Sequence, residues 1–192
     1  MSIMNAPHGR EMSMILTGSR IATEVEGGAI TIQPYSVENL EPNSYRVTLG
    51  PRFLDCTTES LDARSEPLMS VSALEDEGRV LEPGRFYLGE TSEVLGSTRF
   101  AATLYATRSL ASMGMWIHFS APLGHTGAVI RWTLEIRVAH RLVVYPGMTI
   151  AKIAFWRTYG TIVPYDGRYQ SSATVRPSAM RADRHFTLGR TG

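Results

Sequence analysis

Short segments of alternating apolar and polar residues fill the chain from about residue 80 to residue 157, and glycine or proline separates many of them. Clear examples are residues 100–106, 128–138 and 149–157. Strands that recur about every 8 to 12 residues, with turn residues between them, are typical of β-sandwiches and β-barrels. The sequence therefore predicts a mainly β fold, with short helices only at 19–26 and 109–115.

The length of 192 residues suits one domain with its own core. Other strands are predicted at 29–33, 45–49 and 85–89, and the polar stretch 55–78 is interpreted as a long loop or a hairpin. The last residues are basic and irregular, which is typical of a mobile end. We therefore expect three parts: a flexible lead (1–14), a β domain (15–170) and a basic flexible tail (171–192).

Composition argues against several classes of partner and site. The net charge of +1 gives no electrostatic reason to expect nucleic acid as a partner. No apolar run reaches the roughly 20 residues that span a bilayer, so we expect no membrane association. Cys56 is the sole cysteine, which fits a reducing cytoplasm and is incompatible with the paired cysteines of a zinc deaminase. The histidines show no metal-ligand spacing either, so no protein-held metal is predicted.

A series of segments carries a resemblance to a known family. In chain order they are ILTGSRIATEVEGGAITIQPY, EPNSYRVTLG, LEPGRFYLGETSE, TRSLASMGM, SAPLGHTGAVIRWTLEI, YPGMTIAKIAF and YDGRYQ. Their order and spacing resemble the dCTP deaminase family, within the dUTPase and dCTP deaminase superfamily, over roughly residues 15 to 175. The chain is identified as a divergent member of that family.

The resemblance implies a fold, a reaction and an assembly. The fold would be a distorted β-barrel or jelly-roll of dUTPase type, usually forming a homotrimer with active sites between subunits. The reaction would be zinc-independent hydrolysis of a cytosine nucleotide. In it a glutamate activates a water that attacks C4, and ammonia leaves a uracil nucleotide. Mg²⁺ would arrive on the nucleotide phosphates.

Glu135, in the segment TLEI, occupies the family's catalytic glutamate position. Burial of a carboxylate raises its pKa toward that of a useful general base. The alternative is that Glu135 faces solvent on the polar side of its strand. The substrate-binding positions implied by the resemblance are Arg108, Ser109, Ser112, Ala121, His125, Tyr165, Arg168 and Gln170.

Some of these positions depart from the family pattern. Thr107 and Ser112 stand where the family has arginines, although Arg108 could restore a cation from a different place. His125 stands where the family has an aspartate. Because an arginine provides a fixed, two-pronged donor for phosphate, its loss leaves other functions open. One is a nucleotide hydrolase that releases pyrophosphate or free base, and another is a non-catalytic nucleotide-binding trimer.

Overall fold

The structure is a computed structural model that describes residues 14–58, 60–117, 120–170 and 172–180. The predicted lead lies outside these residues except for Met14. The helices are α1 (Gly18–Glu26) and α2 (Arg108–Ser112), and one 3₁₀ turn covers Val37–Asn39. The strands are β1 (Ile30–Gln33), β2 (Leu40–Glu41), β3 (Ser44–Cys56), β4 (Met69–Ala73), β5 (Arg79–Leu81), β6 (Tyr87–Ser97), β7 (Phe100–Ala106), β8 (Met115–Ile117), β9 (Leu123–Gly124), β10 (Val129–Val138), β11 (Leu142–Val144) and β12 (Thr149–Arg157).

The strands form a large antiparallel sheet and a small one. The large sheet has the order β8-β10-β6-β3-β12-β7-β9, with β1 on β6 and with β2 and β4 on β3. The small sheet pairs β11 with β5. The prediction of a mainly β fold with short helices is confirmed.

The core forms because alternate residues of the long strands point to the same side. In β10, Trp132, Leu134, Ile136 and Val138 are all buried, whereas the residues between them are partly or fully exposed. These side chains join one apolar cluster to which most of the sheet contributes, with Tyr45, Phe53, Tyr87 and Phe155 among its largest members.

The helices are short and are fixed by their ends. The side chain of Thr17 caps α1 by accepting a hydrogen bond from the Arg20 amide, and the helix begins at Gly18, one residue before the predicted start. The hydroxyl of Thr107 caps α2 in the same way through the Leu110 amide. Within the described ranges, no helix has the length and apolar character needed to cross a membrane.

Two strands are longer than the sequence indicated. β3 continues through Gly50 and Pro51 to Cys56, and β4 pairs with its second half. Of the two predicted alternatives for the stretch 55–78, a long loop or a hairpin, the structure shows the hairpin. β6 begins near the expected strand but runs on to Ser97 through the acidic residues Glu90 and Glu93. The side chains of Glu90 and Glu93 are both buried, so this strand carries two acidic residues in the interior of the fold.

Candidate functional site

The side chain of Glu135 lies in a cleft on the outer face of β10. Consecutive register pairs join Thr133 to Glu90, Leu134 to Gly89 and Glu135 to Leu88, so the middle of β10 is held firmly against β6. Leu134 points into the core, and alternation therefore turns Glu135 the other way. The cleft there has a volume of about 460 Å³, which is within the range of small-molecule sites.

The environment of Glu135 raises the pKa of its carboxyl group because burial penalises the charged form. Apolar side chains line the cleft around it, including those of Phe86, Leu88, Leu123 and Ile130. No described residue donates a hydrogen bond to this carboxylate, and no other described carboxylate lines the cleft. A half-buried carboxylate with a raised pKa and open hydrogen-bonding capacity can accept a proton from a bound water.

A second glutamate with a raised pKa provides a useful contrast. Glu93 in β6 is 2% exposed, and burial is the largest cause of its raised pKa. Its carboxylate accepts hydrogen bonds from the amide and the hydroxyl of Thr48 at 2.9 to 3.2 Å, and it does not line the cleft. Glu93 therefore ties β6 to β3, whereas Glu135 faces a space that a ligand can enter.

Three of the four predicted site residues that line the cleft come from loops. Ala121 and His125 line it from the segment before β10, and Tyr165 lines it from the segment after β12. The rings of His125 and Tyr165 stack with their centroids 5.3 Å apart, and the Tyr165 amide donates to the Thr126 carbonyl at 2.8 Å. The structure therefore brings Glu135, Ala121, His125 and Tyr165 together.

The remaining predicted residues do not line this cleft. Arg108, Ser109 and Ser112 all lie exposed on α2. Arg168 and Gln170 lie exposed just after Tyr165, and the Arg168 guanidinium donates to the Ala179 carbonyl. The functional roles expected for these five residues stay predictions.

An irregularity in the sheet shapes the other end of the cleft. The pairing of β10 with β6 shifts between Arg131 and Thr133. The Trp132 amide donates to the Thr91 hydroxyl at 3.0 Å, and Arg131 Nη1 donates to the carbonyls of Thr91 (2.8 Å) and Ser92. Side chains thus satisfy backbone groups that the ladder leaves unpaired, which is how a sheet tolerates such an irregularity.

Residues 172–176, here called the strap, form another side of the cleft. Oε2 of the buried Glu90 accepts hydrogen bonds from the Thr174 hydroxyl at 2.8 Å and the Val175 amide at 2.9 Å. The Val175 side chain is 6% exposed and packs with Leu54 and Leu88. The strap therefore has a polar anchor and an apolar anchor beside the sheet.

The strap also bonds directly to the outer face of β10. The Arg131 amide donates to the Ser172 carbonyl at 2.9 Å, and the Arg176 amide donates to the Thr133 hydroxyl at 3.0 Å. Thr133 and Glu135 share this face, so the strap ends beside Glu135. These contacts were not predicted from the sequence, which indicated a flexible tail from residue 171. Residues 181–192 lie outside the described residues.

Several residues of the site were not predicted from the sequence, above all Glu90, Arg131 and Arg176. An acid inside the apolar stretch around YLGETSEVLG and an arginine inside VIRWTLEI were the available signals, because a charge within a strand needs a partner or a use. No comparable signal distinguished Arg176 within an irregular basic segment.

The described residues contain no group of three or more histidine, cysteine, aspartate or glutamate side chains able to hold a metal ion. The expectation that Mg²⁺ would be carried by substrate phosphates therefore stays a prediction about the ligand. That prediction does not require metal ligands from the described residues.

Known proteins resemble this chain in sequence and in fold. The family model described as "DCD: dCTP deaminase-like" matches residues 15–158. A protein of Leptospira biflexa named "dCTP deaminase, dUMP-forming" is 36% identical over 171 residues, covering 88% of this chain and 98% of that protein. A Clostridium botulinum protein of the same name is 34% identical with the same coverage.

A solved structure is similar in fold. It is the crystal structure of 2'-deoxycytidine 5'-triphosphate deaminase from Agrobacterium tumefaciens, with a TM-score of 0.61 and 18% sequence identity. The match covers 76% of this chain and 48% of that one, so this chain spans about half of the solved chain's length. The likeness confirms the predicted dUTPase-like fold class. Because the family model covers most of the chain and the relatives match over nearly their full length, this chain belongs to the dCTP deaminase-like family.

Proposed function

We propose that the chain hydrolytically deaminates a cytosine deoxyribonucleotide to the corresponding uracil nucleotide, with Glu135 as general base. One observation carries the proposal. Glu135 presents a carboxylate with a raised pKa to a ligand-sized cleft in which no described residue occupies its oxygens. The relatives named as dCTP deaminases support cytosine as the base.

In this mechanism Glu135 takes a proton from a water held between it and C4 of the ring. The resulting hydroxide attacks C4, and the proton then passes toward the departing amino group, which leaves as ammonia. A general base of this kind contributes about 10² to 10⁴ to the rate. The apolar cleft around Glu135 supports the step because it partly shields the carboxylate from bulk water.

The names of the relatives also favour a second change in the same substrate. They are called dUMP-forming, and dCTP carries two more phosphates than dUMP. The balanced overall reaction would be dCTP plus two waters giving dUMP, ammonia and pyrophosphate. Deamination and pyrophosphate release, which were alternative predictions from the sequence, would then be two steps of one reaction.

The position of α2 supports a site shared between subunits. Arg108, Ser109 and Ser112 lie outside the cleft of their own chain, which fits a role in the cleft of a neighbouring copy. A homotrimer in which α2 reaches the next subunit's cleft remains part of the proposal, together with Mg²⁺ on the phosphates, zinc independence and a cytoplasmic location.

The test is an incubation of the purified protein with Mg²⁺ and dCTP, dCDP, dCMP or deoxycytidine. Chromatography separates uracil nucleotides, pyrophosphate and free base, and an ammonia assay runs in parallel. Glu135→Gln is compared with Glu38→Gln, a matched change at an exposed glutamate outside the cleft. A uracil nucleotide with ammonia, lost only in Glu135→Gln, is the expected result.

Other products would overturn the proposal in different ways. Pyrophosphate or free base without ammonia would assign a hydrolase that leaves the amino group in place. Binding of nucleotides without any product would assign a non-catalytic binding role. Dependence of turnover on added zinc, after removal of metals with a chelator, would overturn the zinc-independent mechanism.

A further inference from the structure

Two arginines among the described residues line the cleft, and the guanidinium of only one of them is hydrogen-bonded to other described groups. The guanidinium of Arg131 donates to the carbonyl oxygens of Thr91, Ser92 and Ala173. It therefore holds the sheet irregularity and the strap together. The guanidinium of Arg176 makes no hydrogen bond or ion pair with any described residue.

Arg168, one of the predicted substrate-binding residues, is also hydrogen-bonded to other groups of the chain. Arg168 donates to the carbonyl of Ala179, and Ala179 in turn donates its amide to the Tyr169 hydroxyl at 3.0 Å. These contacts fold the segment after the strap back on the segment before it. Arg168 thus supports the chain around the cleft without lining the cleft itself.

The backbone of Arg176 is held although its side chain is not. Its amide donates to the Thr133 hydroxyl at 3.0 Å, and Thr133 lies two residues before Glu135 on the same face of β10. The preceding amide, of Val175, donates to the buried Glu90 carboxylate, and Pro177 restricts the backbone that follows. The guanidinium therefore starts from a fixed point next to the proposed catalytic base.

We propose that Arg176 binds the phosphates of the nucleotide. The inference rests on the proposed function, since it assumes a nucleotide whose base lies against Glu135. A guanidinium offers planar, paired donors that suit phosphate oxygens. Within the described lining, Arg176 and Arg131 outnumber the single carboxylate, so the cleft favours an anionic ligand.

The test compares ligand binding to the full chain and to three variants by titration calorimetry. The ligands are dCTP, deoxycytidine and inorganic pyrophosphate, each with Mg²⁺. Arg176→Gln removes the cation, and Arg176→Lys keeps a cation without the planar, paired donors of a guanidinium. Arg157→Gln is the matched control at an exposed arginine outside the cleft. Thermal unfolding confirms that each variant is folded.

Arg176→Gln should weaken dCTP binding roughly 10- to 100-fold, as expected for the loss of hydrogen bonds to a charged group. It should leave deoxycytidine binding unchanged, and Arg176→Lys should fall in between. Equal dCTP affinity in Arg176→Gln and the unaltered protein would overturn the inference. An equal loss for deoxycytidine would overturn it too, because the defect would then lie in the cleft as a whole.

The failure of this inference is distinguishable from failure of the proposed function. If dCTP binds without being turned over and Arg176→Gln still weakens it, the phosphate role stands and deamination fails. If dCTP is deaminated with unchanged KM in Arg176→Gln, deamination stands and the phosphate role fails. If the unaltered protein binds neither dCTP nor pyrophosphate, both are wrong.

Discussion

The sheet side and the strap side of the cleft are built by different means. On the sheet side, consecutive backbone pairs between β10 and β6 fix Glu135 within a cooperative ladder. On the strap side, residues 172–176 depend on a few bonds to Glu90, Thr133 and Arg131 and on one buried valine. Local opening costs less where fewer contacts must break. The difference places the proposed chemistry on the rigid side and the proposed phosphate contact on the separable side.

The largest expected effect is on the sheet side. Glu135→Gln should lower turnover by about 10² to 10⁴ without unfolding the protein, because it removes the proton acceptor and keeps the shape. In the unaltered enzyme, kcat should fall as pH drops through the raised pKa of Glu135, hence at a higher pH than for an ordinary glutamate. A pH–rate profile measures this. A rate that stays constant down to the ordinary pKa would show that Glu135 is not the base.

A second change on the sheet side should affect the whole fold. A Cβ placed on Gly124 would lie 2.3 Å from the Trp132 ring, so Gly124→Ala must displace that buried indole. The expected loss is about 1 to 3 kcal/mol in the free energy of unfolding, as for other overpacked cores. Denaturant unfolding measures it. Combining the change with Trp132→Phe should cost less than the sum of the single changes, and simple additivity would rule out the clash.

A change on the strap side should loosen the strap while the sheet stays folded. Val175→Ala removes two buried carbons, worth roughly 1.5 kcal/mol of burial. The expected readouts are faster hydrogen exchange at residues 172–176, faster trypsin cleavage after Arg168 and a higher KM. The exposed Val163→Ala is the control. A fall in the midpoint of global unfolding as large as for Gly124→Ala would mean that strap and sheet form one cooperative unit.

The smallest effect is a dependence of stability on pH. The pKa of Glu135 is raised above its ordinary value of 4.5 in the folded protein, so the folded state binds the proton more tightly than the unfolded state. The stability advantage of the protonated form is complete below the unfolded pKa and is lost as pH rises through the folded pKa. Glu135→Gln should therefore gain stability relative to the unaltered protein across that window. A difference that does not change with pH would contradict the desolvation of Glu135.

The same two sides differ in how far they follow from sequence. The alternation of apolar and polar residues predicted β7 and β12 at the residues where they occur, because a strand with one buried face has an apolar residue at every second position. It could not show that β6 continues past Gly89, because Glu90 and Glu93 are polar at buried positions. Their partners, the strap and Thr48, are distant in the chain.

The site was partly predictable for a related reason. Glu135, Ala121, His125 and Tyr165 were found through family motifs that stand in or near the sheet, and the structure brings them together. Arg176 lies in a segment without regular period, held by single contacts that leave no pattern in the sequence. Local sequence cannot reveal such a contact when its partner, Thr133, is an ordinary strand residue.

The place of the strap in the chain has a consequence for the order of synthesis. The large sheet is complete once β12 has been made, at residue 157, whereas the cleft lacks one side until residue 176 has been added. A nascent chain can therefore acquire its whole sheet, with Glu135 already in place, before it can enclose a ligand. During translation, the binding site would be completed after the barrel-like sheet has folded, as a separate event.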